Sequence, residues 1–321
     1  MLLTAPPVNR CGSRLLSIAG SRPDGIVTAT MLGRPFGKSS EWIEQRTGIQ
    51  ELRRLHGGQS IGELALAAGS RAIERSGAEI DFVLTASCST EPGTPHNAHV
   101  AEQLAPGRPH VEINIACSGF TYALAAADAM IRTGQARHVL VVAAEHMSRY
   151  LDPADLGTSI IFGDGAGAAV VGPAPEGRSG IGPVVWGSDG KHHALIACDQ
   201  APPGPMRMQG QSVFRWAVDT VPRIAAEACR RAGIRPADID VFVPHQANLR
   251  IIDAIVRKLG IERATTATDV TTTGNTSAAS IPIALSALVE RGTARAGQLA
   301  LLVGFGAGLA YAAQVITVPG A

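Results

Sequence analysis

Three residues of this chain have the types and surroundings for covalent chemistry. Cys117 lies in I-N-I-A-C-S-G-F-T-Y-A-L, His245 in V-P-H-Q-A-N and Asn275 in G-N-T-S-A-A-S-I-P-I-A-L. A cysteine attacks an acyl group as its thiolate, and side-chain N–H groups of histidine and asparagine can hydrogen bond to an oxygen that gains negative charge. Singly, each has a plainer use. A cysteine among alanines is a small buried hydrophobe, a histidine behind a proline is a satisfied polar residue, and an asparagine ahead of a helix is an N-cap.

The neighbouring residues say where the three must stand. Val111, Ile113 and Ile115 form a β-branched run that gives way at Cys117 to small, Ala-rich residues, which predicts a strand-to-helix turn at the cysteine. There the helix's free N–H groups and its dipole would draw the thiol pKa down from ~8.5 by one or more units. His245 and Asn248 follow the strand-like I-D-V-F-V, at the end where open α/β sheets keep their ligands. Upstream, residues 15–19 read as a short strand. S-E-W-I-E-Q-R reads as a short helix opened by an N-cap serine, with Trp42 and Arg46 four apart on one face. Residues 61–75 read as a helix ended by Gly77, Phe82–Ala86 as a buried strand and 90–97 as a loop. His96 and His99 fall in that proline-bounded loop with no acidic ligand close by, so no metal is expected there. Residues 172–211, rich in Pro and Gly, read as an edge strand mixed with long surface loop.

The chain also resembles itself. A helix ending at Gly77 and then I-D-F-V has a counterpart in a helix ending at Gly233 and then I-D-V-F-V. R-T-G-Q-A-R-H-V-L-V-V from Arg132 matches R-G-T-A-R-A-G-Q-L-A-L-L-V from Arg291, and G-D-G-A-G-A-A-V-V from Gly163 matches G-F-G-A-G-L-A-Y-A-A from Gly304. Three matches in one order predict two copies of an α/β unit, with Cys117 and Asn275 at near-equivalent helix starts. Neither glycine run is followed by an amphipathic helix, so close backbone packing accounts for them better than phosphate binding. The second run could in addition bring a backbone N–H to a substrate carbonyl.

Composition narrows the function classes. A chain of 321 residues with 45% hydrophobic and 17% charged residues suits one or two globular domains. A formal net charge of +1, no long basic block and 4% aromatic residues argue against nucleic acid as a partner. The longest apolar runs are far shorter than the ~20 residues that cross a bilayer, and the N-terminus is broken by prolines and arginines, so a cytoplasmic protein without a membrane partner is expected. Five scattered cysteines without C-x-x-C spacing argue against a disulfide framework and a zinc site.

Taken together, S-S-E-W-I-E-Q-R-T-G-I, N-I-A-C-S-G-F-T-Y-A-L, S-I-I-F-G-D-G-A-G-A-A-V, V-P-H-Q-A-N-L-R-I-I, G-N-T-S-A-A-S-I-P-I-A-L and G-F-G-A-G-L resemble the β-ketoacyl-acyl carrier protein synthase III branch of the thiolase-fold condensing enzymes, over nearly the whole chain. The resemblance implies an α/β thiolase fold: two pseudo-repeated halves, residues 1–172 and 173–321, in a five-layered α-β-α-β-α sandwich. It implies that Cys117 takes an acyl group from a thioester, with an oxyanion hole from the N–H groups of Cys117 and Ala307. His245 and Asn275 then hold malonyl-acyl carrier protein as it loses carbon dioxide and attacks the acyl group. No cofactor is implied beyond these substrates, acyl-coenzyme A or acyl-acyl carrier protein being the donor. By the same resemblance Trp42 and Arg46 grip the coenzyme A nucleotide, Asn248 lies near the pantetheine arm, and Phe162, Phe214 and Ala247 line the tunnel. Family members form homodimers that complete each other's pockets. Arg250, Arg257 and Lys258, seven and eight apart on one helix face, offer a dock for an acidic carrier protein, or simply a solvated face.

The chain departs from the pattern in three places. Leu156 stands where the family usually carries an arginine that helps clamp the adenine, which weakens the case for coenzyme A as donor. Thr94 lies near where some members place a bulky aromatic in the acyl pocket, and L-A-Y-A-A replaces the usual T-W-G of the last strand. A starter-unit or tailoring enzyme of a natural-product pathway fits these changes as well as a fatty-acid enzyme. Two other readings share the catalytic types: an acyltransferase of the same fold that hands the acyl group to a hydroxyl or amine, and a papain-like hydrolase. Retention of Asn275 favours condensation over the first. The second lacks C-G-S-C-[WY] and paired cysteines, and the internal repeat counts against it.

Overall fold

The chain folds as two sheets of identical topology, each laid out by one copy of the repeat. The computed structural model describes residues 12–89, 96–198 and 204–320. Thr94 lies outside the described residues. The first sheet comprises β1 (Ser13–Ser21), β2 (Phe82–Ala86), β3 (His110–Ile113), β4 (Val139–His146) and β5 (Asp164–Pro173), in the spatial order β1-β5-β4-β2-β3. The second comprises β6 (Val185–Ser188), β7 (Val241–Pro244), β8 (Thr265–Thr266), β9 (Leu299–Gly306) and β10 (Ala310–Thr317), in the order β6-β10-β9-β7-β8. In both, the first two pairings are antiparallel and the last two parallel. The I-D match holds down to single bonds. Asp81 Oδ2 accepts the His138 N–H at 2.8 Å, and Asp240 Oδ2 accepts the Leu299 N–H at 2.9 Å, each fixing the start of the neighbouring strand.

The glycine-run match does not hold in the same way. Gly163 and Gly165 open β5, whereas Gly304 and Gly306 close β9 and Gly308 turns the chain into β10. Similar composition at a sheet's crowded centre, where backbones approach closely, produced the likeness.

Seven helices of eight or more residues are described: α1 (Ser40–Thr47), α2 (Ile61–Ser76), α3 (His96–Leu104), α4 (Gly119–Arg132), α5 (Gly210–Arg231), α6 (Leu249–Leu259) and α7 (Ser280–Glu290). Strand alternation assigns them to layers. In β4, Val139 and Val141 face one apolar cluster with α4 and α7, while Leu140 and Val142 face another with Leu64, Ala65 and Ala68 of α2. In β9, Ala300 and Leu302 share the first cluster, while Leu301 and Val303 pack on Val221 and Ile224 of α5 and Ile255 of α6. The result is α2 and α3, sheet, α4 and α7, sheet, α5 and α6: five layers. With a sheet on each side, α7 is apolar all round and buried from Ser280 to Val289.

Local signals fix the helix ends. Ser60 Oγ accepts the Glu63 N–H while Glu63 Oε2 accepts the Ser60 N–H, a capping box that starts α2, and Gly77 at φ 61° ends it. The cap of α1 is Ser39, one residue earlier than the S-E-W-I-E-Q-R pattern suggests, with its hydroxyl on the Trp42 N–H. His96 and His99 are not in a loop. They begin α3, and His99 Nε2 meets Gln103 Nε2 at 2.7 Å one turn on. The Pro- and Gly-rich segment supplies edge strand β6 as expected, but also the two-stranded ribbon Ile196–Cys198 and Met206–Met208.

Leu285, fully buried between the two sheets, is the sharpest probe of this layering. Leu285→Ala should lower unfolding free energy by ~2–5 kcal/mol in chemical denaturation; a loss below ~1 kcal/mol would contradict a helix enclosed on both sides.

Candidate active site

Strand β3 ends at Ile113, short of the cysteine, and five residues of turn lead to α4. Ala116, just before Cys117, is left-handed at φ 44°, and the second half repeats this at Ser277, φ 48°. These are the two non-glycine residues of positive φ among the described residues. In each turn an asparagine two residues earlier receives the N–H of the strained residue: Asn114 Oδ1 from Ala116 at 3.4 Å, and Asn275 Oδ1 from Ser277 at 2.9 Å. The true equivalents are therefore Asn114 with Asn275 and Cys117 with Ala278. The expected pairing of Cys117 with Asn275 is three residues out of register. The two turns pack on each other, and a Cβ added to Gly119 would lie 3.2 Å from the Ala278 Cβ. Two pseudo-symmetric turns thus bring the nucleophile of one half beside the asparagine of the other.

His245 follows β7 directly and its N–H donates to the Val303 carbonyl at 2.8 Å. Its ring stands edge-on to Phe305, and Nδ1 lies 2.7 Å from Ser280 Oγ. That hydroxyl oxygen already accepts the Gln246 N–H at 3.4 Å, so its own proton is available to Nδ1. When the hydroxyl donates to Nδ1, the ring proton is on Nε2, the nitrogen not engaged by Ser280. Asn275 is held by its main chain: its N–H donates to the Ile161 carbonyl at 2.9 Å and its carbonyl accepts the Gly163 N–H at 3.1 Å. With Oδ1 engaged by Ser277, its amide nitrogen is the group presented to the cavity. Arg54 holds the 159–162 segment by donating to the carbonyls of Ser159 and Phe162.

One cavity of about 940 Å³ joins these groups. Cys117, His245, Asn275 and Ala307 line it, with Phe162, Phe214, Ala247, Asn248 and Arg250, and Trp42 and Arg46 at the mouth. The Arg46 guanidinium sits 4.8 Å from the Trp42 ring centre and the Lys38 ammonium 5.1 Å. Asn248 caps α6 through the Arg250 N–H and donates Nδ2 to the Arg46 carbonyl, pinning α6 to α1. Leu156 packs in the same apolar cluster as Trp42. Arg250 lies over Phe214 at the mouth, whereas Arg257 and Lys258 are outside the cavity lining and Lys258 pairs with Asp219 at 2.8 Å. Further in, Met147, Phe162 and Met206 cluster with Cys88, Tyr150 and Ile196. The proline-rich segment thus forms a wall of the cavity through its ribbon, which its composition alone does not show.

The electrostatics overturn one expectation. Burial pushes the Cys117 thiol up to about 12, outweighing the Ser277 hydroxyl and the N–H groups of Cys117 and Ala307 that favour the thiolate. The helix start lends donors, but the floor of an apolar cavity withholds water. Burial also pushes His245 down to about 3, so its imidazole is neutral at neutral pH. Three functional neighbours escaped the sequence reading: Ser277, Ser280 and Glu145. The last left a signal, a charge closing the apolar run V-L-V-V-A-A-E; the two serines look like ordinary small residues.

Two outcomes follow from this geometry. Gly306 has extended backbone, and an added Cβ would lie 2.7 Å from the Cys117 Cβ and 3.0 Å from its sulfur. Gly306→Ala should therefore slow alkylation of Cys117 by iodoacetamide at least ~10-fold, since a near-attack geometry misplaced by about 1 Å loses up to 100-fold; an unchanged rate would show that the contact is not restrictive. His245 binds no proton in the folded state until pH falls near 3, but titrates near ~6.5 when unfolded. Its contribution is thus lost as pH falls through ~6.5, by up to ~1.4 kcal/mol per pH unit. The stability gap between wild type and His245→Gln should shrink by ~1 kcal/mol from pH ~7.5 to ~5.5 in urea titrations; parallel curves would contradict it.

Comparison with known proteins fits this geometry. The family description 3-oxoacyl-[acyl-carrier-protein] synthase III matches residues 111–190, and that of its C-terminal region residues 229–318. The chain is 44% identical to β-ketoacyl-[acyl-carrier-protein] synthase III 2 of Streptomyces avermitilis, over 96% of this chain and 99% of that one. It is 43% identical to the synthase III of Mycobacteroides abscessus, over 97% and 96%. Among solved structures, the priming β-ketosynthase of the R1128 polyketide biosynthetic pathway superposes with a TM-score of 0.93 at 40% identity, covering 99% of both chains. With its duplicated five-layer architecture, its paired turns and this degree of identity over almost its whole length, the chain belongs to the β-ketoacyl-[acyl-carrier-protein] synthase III family of thiolase-fold condensing enzymes.

Proposed function

We propose that this enzyme forms the first carbon–carbon bond of a fatty-acid or polyketide chain by two half-reactions in the one cavity. The observation that carries the reading is the convergence of Cys117, His245, Asn275 and the Ala307 N–H on that cavity. In the first half, the Cys117 sulfur bonds to the acyl carbon of a thioester, and the carbon–sulfur bond to the donor breaks. The oxyanion formed on the way is met by the N–H groups of Cys117 and Ala307, each such donor being worth ~2.7–4 kcal/mol of barrier. In the second, a malonyl thioester takes the donor's place. Loss of its carboxylate as carbon dioxide leaves an enolate, whose oxygen receives hydrogen bonds from His245 Nε2 and the Asn275 amide. The enolate carbon then bonds to the acyl carbon, and Cys117 leaves as the thiolate, which takes up a proton from solvent to restore the thiol.

A neutral His245 suits this step, since it donates a hydrogen bond without bringing a competing proton acid into the site. The reading needs no cofactor. Soft, adaptable Met147 and Met206 with Phe162 make an apolar bed for the acyl chain. At the mouth, Trp42, Arg46 and Arg250 suit the phosphate end of a pantetheine arm, whether carried by coenzyme A or by an acyl carrier protein, and the exposed Arg250 and Arg257 suit the carrier's acidic surface. We place a second copy of the chain against β3, an edge strand on which Val111 is 46% exposed.

Purified protein mixed with acyl-coenzyme A or acyl-acyl carrier protein should gain one acyl mass, and Cys117→Ala none. No gain from any donor would contradict the covalent step. Offered malonyl-acyl carrier protein, the acyl-enzyme should release carbon dioxide; acyl transfer to a hydroxyl or amine without that release would identify the acyltransferase alternative. Val111→Lys should halve the mass seen in size-exclusion light scattering, and an unchanged mass would remove β3 from the interface.

A further inference from the structure

Duplication gives the surroundings of the nucleophile a twin, and the twin is filled. The offset that pairs Asn114 with Asn275 and Cys117 with Ala278 also pairs His138 with Leu299, the residues whose N–H groups Asp81 and Asp240 hold. Carried along β4 and β9, it pairs Glu145 with Gly306 and His146 with Ala307. The parallel ladders place Ala86 where the second half has His245. The counterparts of the Cys117 and Ala307 N–H groups are therefore those of Ala278 and His146. In the twin, alanines replace both the thiol and the imidazole.

Both twin N–H groups are occupied. Glu145 Oε1 accepts the Ala278 N–H at 3.3 Å, and Ser89 Oγ accepts that of His146 at 2.8 Å. The two acceptors meet each other, with Ser89 Oγ 2.5 Å from Glu145 Oε2. From the end of β2, the Ser87 hydroxyl and the Cys88 N–H donate to the same carboxyl, each at 3.1 Å. The side chain that fills the twin is the one the nucleophile's side lacks: at Gly306 even a Cβ would lie 2.7 Å from the Cys117 Cβ. Glu145 itself is fully buried and outside the cavity lining.

We infer that Glu145 is the built-in occupant of a second oxyanion hole, and that by filling it the carboxyl holds in place the turn that presents Asn275. The inference rests on the enolate role of Asn275 proposed above. Buried N–H groups left without an acceptor are costly, and here a carboxyl and a hydroxyl oxygen supply what a reacting thioester supplies on the other side. Consecutive N–H groups of the turn then have side-chain acceptors, Asn275 Oδ1 for Ser277 and Glu145 Oε1 for Ala278. The first bond lies within the turn. The second ties the turn to β4 and, through Ser87, Cys88 and Ser89, to the end of β2. Glu145 is thus a positioning residue for the enolate step, acting through the backbone that carries Asn275.

The test compares two substitutions in the two half-reactions. Glu145→Leu keeps the bulk and removes the acceptor, whereas Glu145→Gln keeps an oxygen for the Ala278 N–H, with the serine hydroxyls free to accept from its NH₂ group. Carbon dioxide release from malonyl-acyl carrier protein by the acyl-enzyme should fall about tenfold or more in Glu145→Leu, as for a donor displaced by about 1 Å. In Glu145→Gln it should stay within about threefold of wild type, and acylation timed by intact mass should change less than about threefold in both. Added to Asn275→Ala, Glu145→Leu should cost little more, because the turn then presents no donor. No loss in Glu145→Leu, an equal loss in Glu145→Gln, equal losses in both half-reactions, or full additivity with Asn275→Ala would overturn the inference. If Glu145→Leu fails to fold, Glu145→Met, unbranched and adaptable, takes its place. A wild type that acylates but releases no carbon dioxide would instead overturn the reading of Asn275 itself.

Discussion

The whole site depends on two short turns that pack against each other where the halves of the molecule meet. Each turn comes after the edge strand of its sheet, holds one non-glycine residue left-handed, and satisfies that residue's N–H with an asparagine side chain. Such strain persists only where the surroundings over-determine it. Here the surroundings are the buried helices α4 and α7 behind the turns and strand β9 in front, where Gly306 lets the backbone approach the Cys117 sulfur. Gene-duplicated topology thus has a chemical consequence: one turn delivers a thiol and the other an amide, to the same point.

Burial sets the tone of the chemistry. The same dry cavity that strengthens hydrogen bonds to a developing oxyanion also keeps Cys117 a thiol and His245 neutral. Neither residue comes pre-charged, so the reaction must move protons at the moment of bond making.

Much of this was legible in the sequence, and the reason is periodicity. Alternating apolar strands, capped helices and repeated I-D and R-T-G-Q segments mark the duplicated unit, and the strand ends mark Cys117, His245 and Asn275. What periodicity could not supply was register at the turns. The resemblance of the two glycine runs and the pairing of Cys117 with Asn275 each looked right in one dimension and shifted in three, because equivalent backbone is defined by strained φ angles and ladder bonds rather than by residue type. Proline and histidine near residue 96 suggested loop, yet the chain from His96 to Leu104 forms a helix. Lys258 read as a free docking charge, but tertiary packing gives it Asp219. The thiol pKa went the wrong way for the same reason: a helix start is visible in sequence, and the depth of a cavity is not.

The central claim is that the two halves contribute separate half-reactions to one cavity, acylation at Cys117 and enolate formation at Asn275 and His245. The most direct measurement separates them in Asn275→Ala, timing acyl-enzyme formation by intact mass and carbon dioxide release from malonyl-acyl carrier protein in the same preparation. The account predicts acylation within a few-fold of wild type and decarboxylation reduced about 100-fold or more, as for loss of one oxyanion donor. Equal losses in both half-reactions, or decarboxylation left intact, would contradict it.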